Sequence, residues 1–405
     1  MTSGSLAATA LDGVRIIDLT DKSCVYATKI LSDLGADVIR VEPSSGDPMR
    51  QYPPVDAKTG ESMFHAFMNV NKSSVTIDLD TAEGQDLFRR LVKSAAIVVE
   101  SRRPGELEDL GIGYKQLSAE NPALVWTSVT PFGSDGPYAQ WTMDDLIAQA
   151  MGGLMTLSGW PTREPLRLFG EQTCYIAGLH AASGTLMAYW HVLNAGSGQH
   201  VDVSIQDCVA HTLENAIQYY TAEGTVRARQ KGRAEPGAGV FQCNDGEIFL
   251  MAGISMISSS WHNIVAMMIA DDIPGAEKLK DEKWVDPNWR KTPEAQQEAN
   301  AIITSFTMKH GKNQLYDRLQ QNHILSAPMN QVGDLFENAQ LKFLNWFSEQ
   351  PWDDRSVTWP GPPVRLSETP RRSPVKVAAI GADNDRIYAE LGARPALRIR
   401  AAGRA

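Results

Sequence analysis

Cysteine is scarce in this sequence: four in 405 residues, Cys24, Cys174, Cys208 and Cys243, with no C-x-x-C pair and no zinc-site spacing. Thiols this far apart are read as free cysteines of a reducing compartment, which excludes a disulfide framework. No stretch approaches the roughly 18 uninterrupted apolar residues of a membrane-spanning helix. The opening "MTSGSLAATALDG" lacks a basic segment followed by an apolar run, so no secretory leader is expected. Excess basic charge is also missing. A net charge of −10 argues against nucleic-acid and anionic-membrane partners, because binding to phosphates needs cations that release counterions. These absences predict a cytoplasmic protein.

What is present is an alternation of strands and helices. "VRIIDLT" (14–20) is a β-branched run, "YATKILSDLG" (26–35) has helical spacing closed by glycine, and "ADVIRVE" (36–42) is a second strand. This βαβ unit predicts a parallel pair. Its first turn, "TDKSCVY", is not G-x-G-x-x-G, which disfavours NAD. "SVTIDLD" (74–80), a helix opened by Thr81, "AIVVE" (96–100) and "LVWTSVTPFG" (124–133) continue the rhythm of an open α/β sheet. Thr142 and Asp145 form a T-x-x-D capping box for "LIAQAMGGLMTL", and "SGQHVDVSIQDCVAHTLENAIQYY" reads as a strand and one long helix. A polar, Gly/Pro-bearing stretch at 221–240 marks a domain boundary, and the Pro-rich tail closes in the helix "DNDRIYAELG".

"LFGEQTCYIAGLHAASG" (168–184) reads as a loop entering a helix packed through small residues. Glu171 and Cys174 lie at its N-terminal turn, where free backbone N–H groups and the helix dipole favour negative charge. Glu171 is either a nucleophile or the cap of this helix. Cys174 is either a reactive thiol or a small buried apolar residue.

From about residue 11 to 392 the chain resembles the family III CoA-transferases (CaiB/BaiF), a group that includes formyl-CoA transferase. The segments that carry the likeness include "LDGVRIIDLT", "LSDLGADVIRVEPSSGDPMR", "FHAFMNVNKSSVTIDL", "IVVESRRPGELEDLG", "GSGQHVDVSIQD" and "PGPPVRLSETP". The resemblance implies an α/β fold with a Rossmann-like large domain (1–225), a smaller α+β domain (226–325) and a return to the large domain (326–405). It also implies an interlocked ring dimer. Members move CoA from an acyl-CoA to a free carboxylic acid, so a CoA thioester is a substrate and no permanent cofactor or metal is implied. A carboxylate nucleophile suits that exchange, since a mixed anhydride keeps the thioester's energy.

The family's nucleophilic Asp stands four residues before a Gly in D-x-x-x-G-x-x-A-A-x-G. Here "CYIAGLHAASG" holds Gly178, Ala181, Ala182 and Gly184 in register and puts Cys174 at the Asp position. Glu171 lies one turn earlier, and a carboxylate displaced by about 1 Å loses on the order of 10²-fold in rate. The first βα loop is one residue shorter than the family's and carries Lys22, Ser23 and Cys24. Ser101 replaces the Asn of the family's "EN-x-x-PG" turn, and formyl-CoA transferase's CoA-contacting Lys and Arg correspond to Asp80 and Asp109. Lys22, Ser23, Arg40, Lys72, Ser101, Arg102 and Arg103 are the remaining candidates for CoA binding. The two-base pair of a racemase is absent, its places holding Asp144 and Cys174. Trp160, Trp261 and Met256 are read either as an acyl pocket or as core.

Some members, such as succinyl-CoA:benzylsuccinate CoA-transferase, look like assemblies of two related subunits, one bearing the Asp. The expectation is that this chain is the supporting, Asp-lacking subunit of such a CoA-transferase. Its rivals are a self-sufficient homodimer with Glu171 as nucleophile and a non-catalytic acyl-CoA-binding protein.

Overall fold

A computed structural model describes residues 9–229, 235–253, 258–373, 375 and 377–392. The chain divides into two compact units. The first comprises residues up to Gly159, Pro165–Arg227 and the chain from Trp346 onward; the second comprises Trp160–Glu164 and Ala228–Asn345.

In the first unit, β1 (Arg15–Leu19), β2 (Asp37–Glu42), β3 (Ser73–Thr76), β4 (Ile97–Glu100), β5 (Val125–Thr130) and β6 (His200–Ser204) form one parallel sheet. Its order, β3-β2-β1-β4-β5-β6, is that of a doubly wound Rossmann sheet. Alternate strand residues feed two cores, as the pleat requires. Ile17, Ile39 and Val98 face Phe88 and Leu91 of the Ala82–Lys93 helix; Ile16, Val38 and Ile97 face Leu31 of the Tyr26–Asp33 helix and Ala188 of the Gln172–Ala195 helix. The small residues of this last helix allow a close approach to the Tyr26–Asp33 helix. A Cβ on Gly178 would lie 2.8 Å from Cβ of Tyr26 and 2.9 Å from the backbone nitrogen of Ala27.

The tail does dock back. Asp383 and Asn384 accept backbone N–H bonds from Ser74 and Thr76 of the outer strand β3, each at 2.9 Å, and Ile387 and Tyr388 enter the core. Side chains of the Asn384–Glu390 helix thus satisfy an edge that would otherwise offer free backbone groups.

The second unit is α+β. Here β7 (Ala238–Cys243), β8 (Gly246–Met251) and β9 (Leu325–Pro328) are antiparallel, and Ile248 and Leu250 pack with Trp261, Ile264, Phe306 and Leu315. A boundary at 325/326 would cut through β9, which pairs with β8, and the chain re-enters the first unit at Trp346.

Three local expectations differ. Asp144, not Thr142, caps the Asp145–Met151 helix, accepting from Ile147 N–H at 2.9 Å. The long helix expected after β6 breaks into Ile205–His211 and Ala216–Glu223, with Glu214 at φ 56° between them. The third difference lies at the start of the Gln172–Ala195 helix and bears on the site.

Candidate active site

In this sheet order the crevice for a ligand opens outside the carboxyl ends of β1 and β4, where the winding reverses. The two loops are joined there, because Asp21 N–H donates to Ser101 Oγ at 2.8 Å. Ser23 is bound within its own loop, its backbone N–H donating to Asp21 Oδ1 at 2.8 Å.

Glu171 takes the N-cap position of the Gln172–Ala195 helix but makes no capping bond. The capping group is Asp145, which accepts the N–H and the hydroxyl of Thr173, both at 2.9 Å, and a bond from Gln149 at 2.6 Å. The Glu171 carboxylate is turned to two other segments instead. Lys22 Nζ donates to its Oε2 at 3.3 Å and the Tyr52 hydroxyl donates to its Oε1. Burial and this bond push the Tyr52 phenol up to about 12. The Tyr52 ring packs against Phe64 at 5.0 Å between centroids, with the Lys22 ammonium 5.3 Å from its own centroid.

Cys174 is fully buried with Val25, Met49 and Met68. Burial pushes its thiol up to about 12, so a thiolate at neutral pH is strongly disfavoured.

Arg40 and Lys72 were expected to meet a CoA phosphate, and the structure turns both inward. Arg40 donates to Asp18 Oδ2 at 2.9 Å and to the Thr20 carbonyl at 2.7 Å, and it also pairs with Asp47. The Lys72 ammonium donates to Asp18, Thr28 and Asn69 at 2.8, 2.8 and 2.9 Å, which satisfies all three of its protons. Burial alone would raise the Asp18 carboxyl, yet Lys72 and Arg40 hold it well below the usual carboxylate range. Burial lowers Lys72 to about 8. Both cations serve to compensate a buried carboxylate, which leaves them no face toward a ligand.

Arg102 and Arg103 do line a cavity. It has a volume of about 430 Å³ at the ends of β4 and β5, shared with Glu100, Lys115, Ser128 and His200. Glu100, not anticipated from the sequence, is 6% exposed and accepts from Arg102 N–H at 2.5 Å. Burial pushes it up to about 7, against the hydrogen bonds of Ser128, Arg102 N–H and Trp126. The available signal was an acid closing a wholly apolar strand in "AIVVE".

Among the other candidates, Trp261 is core in the second unit, Trp160 is exposed, and Met256 lies outside the described residues. No described helix is long and apolar enough to cross a membrane, and no described cluster of His, Cys, Asp or Glu is placed to hold a metal ion.

The structure defines a doubly wound α/β protein with a cavity at the strand ends lined by Glu100, Arg102, Arg103 and Lys115, and without a dinucleotide glycine loop. Residues 11–384 match CoA-transferase family III, and the chain belongs to that family. It is 33% identical to the succinyl-CoA:(R)-benzylsuccinate CoA-transferase subunit BbsE of Thauera aromatica over 383 residues, 93% of each chain. It is 30% identical to the succinate–glutarate CoA-transferase of Agrobacterium fabrum, over 94% of this chain and 95% of that one. A crystal structure of a CAIB/BAIF family protein from Brucella suis superimposes with a TM-score of 0.82 at 29% identity, covering 95% of this chain and all of that one. The chain is thus a CoA-transferase of family III, and the mixed α/β fold expected from the sequence is the one observed.

Proposed function

We propose that this chain is the supporting, Asp-lacking subunit of a hetero-oligomeric family III CoA-transferase that moves CoA from succinyl-CoA to a second carboxylic acid. The observation that carries the reading is Cys174. At the register where the family places its acid, this chain has a fully buried thiol held protonated by its surroundings. A thiol is also the wrong nucleophile, since its acyl form is another thioester, from which a carboxylate regains an anhydride only uphill. The inward-turned Arg40 and Lys72 support a weakened CoA site, while Arg102 and Arg103 leave a cavity able to meet phosphates. The two relatives named for succinate or succinyl-CoA support the choice of donor, and the one named as a subunit supports assembly with a homologous, Asp-bearing chain. Interlocking of the two rings and a cytoplasmic setting complete the proposal.

The test is affinity purification of the tagged chain from its host, followed by CoA-exchange assays on the chain alone and with any co-purifying homologue. The expected result is exchange only in the assembled form. Turnover by the chain alone at an ordinary 1 to 10³ per second, on the order of most enzymes, overturns it. Hydroxylamine trapping of an acyl group on Glu171 would then establish the self-sufficient homodimer. Tight CoA binding without exchange in any combination would establish the binding protein.

A further inference from the structure

We infer that Lys22 and Tyr52 form a receptor for the carboxylate of an acid substrate, and that Glu171 of the same chain occupies it. This rests on the subunit reading above and states what silences the crevice. Glu171 stands at a helix start without serving it, because Asp145 has taken the cap. Its carboxylate instead meets two donors from distant segments, an ammonium on Oε2 and a phenol hydroxyl on Oε1. One charged and one neutral donor, each on its own oxygen, make a recognition pair for any carboxylate. Phe64 fixes the Tyr52 ring, and the Lys22 side chain keeps 38% of its surface open, so the pair is both placed and reachable. Lys22 lies in the β1 loop, next to Asp21, whose backbone N–H meets Ser101 of the β4 loop. The ligand class is a short carboxylic acid entering with a free carboxylate. A tethered carboxylate competes at millimolar or higher effective concentration, so free acid meets an occupied site.

The experiment is calorimetric titration of the full-length chain with sodium succinate, for the parent, Glu171→Ala, Lys22→Met/Glu171→Ala and Tyr52→Phe/Glu171→Ala. Expected is succinate binding at least about tenfold tighter in Glu171→Ala than in the parent, and loss of that gain in both double variants. Equal binding by parent and Glu171→Ala, no binding by a folded Glu171→Ala, or full binding by either double variant overturns the inference. Should Glu171→Ala not fold, Glu171→Gln keeps the side-chain volume while losing the charge, and it is titrated with succinate in its place, with tighter binding than in the parent expected. An unchanged titration overturns the inference equally. These readouts need no partner and no turnover, so their failure leaves the subunit proposal standing, and turnover by the isolated chain defeats that proposal whatever succinate does.

Discussion

Asp145 and Thr173 are joined twice, through the backbone N–H and the hydroxyl of Thr173, and this bond between two helices leaves Glu171 free of the helix it precedes. Removing the acceptor strands buried donors at the start of the Gln172–Ala195 helix. Asp145→Ala should lower stability by about 1–2 kcal/mol, read as a shift in the urea midpoint, with Asp145→Asn losing less.

Cys174→Asp restores the family's residue in sequence but places a carboxylate among Val25, Met49 and Met68. Burying an unpaired charge is costly enough that the side chain is forced to protonate or the packing to open. The variant should melt below the parent, increasingly so as pH rises, and show no CoA exchange on its own. Exchange at an ordinary rate would contradict the buried geometry.

Lys72→Met removes one of the two cations facing Asp18. Breaking a buried pair on one side costs on the order of 3 kcal/mol, so the variant should unfold at markedly lower urea. Acyl-CoA affinity of the fraction that remains folded should not change, since Lys72 faces no ligand.

Glu100 supplies a pH test. Its carboxyl is raised by burial to about 7, so between its ordinary value and that pH the folded chain holds a proton that the unfolded chain has released. Stability therefore falls as pH rises through that window. The total is on the order of 3 kcal/mol. Glu100→Gln should flatten this slope of melting temperature against pH between about 4.5 and 7, the range set by the two values. An unchanged slope would assign it to other groups.

Arg102 and Arg103 face the cavity beside Glu100. Replacing both by Ala should weaken acyl-CoA binding by about tenfold or more, the scale of one lost charge-assisted hydrogen bond, with a shallower salt dependence in the variant.

Much of the sheet was legible because β1, β2 and β4 are buried runs rich in Ile and Val, a local property, whereas β6 is mostly exposed or half-buried and was read from its Val201/Val203 alternation. The fate of the basic residues was less local. Arg40 stands opposite Asp18 in the β1–β2 register, as Asp37 stands opposite Arg15, so the two charge pairs recur at one offset across adjacent strands. That repetition was readable, once the strands were paired, as a sign that Arg40 points at protein. Lys72 gave no such sign, because its approach to Asp18 depends on how the Met63–Asn69 helix ends beside the sheet. The role of Asp145 was hidden for a similar reason. In sequence it belongs to the helix it begins, and only folding brings Thr173 to it across 28 positions.

The outer strand β3 is completed by Asp383, Asn384 and Tyr388, which lie some three hundred positions downstream. While the chain is still being made on the ribosome, that flank of the sheet stays bare through the synthesis of Ala228–Asn345, although all six strands of the sheet come earlier in sequence. The nascent first unit therefore passes through an extended period with an open edge.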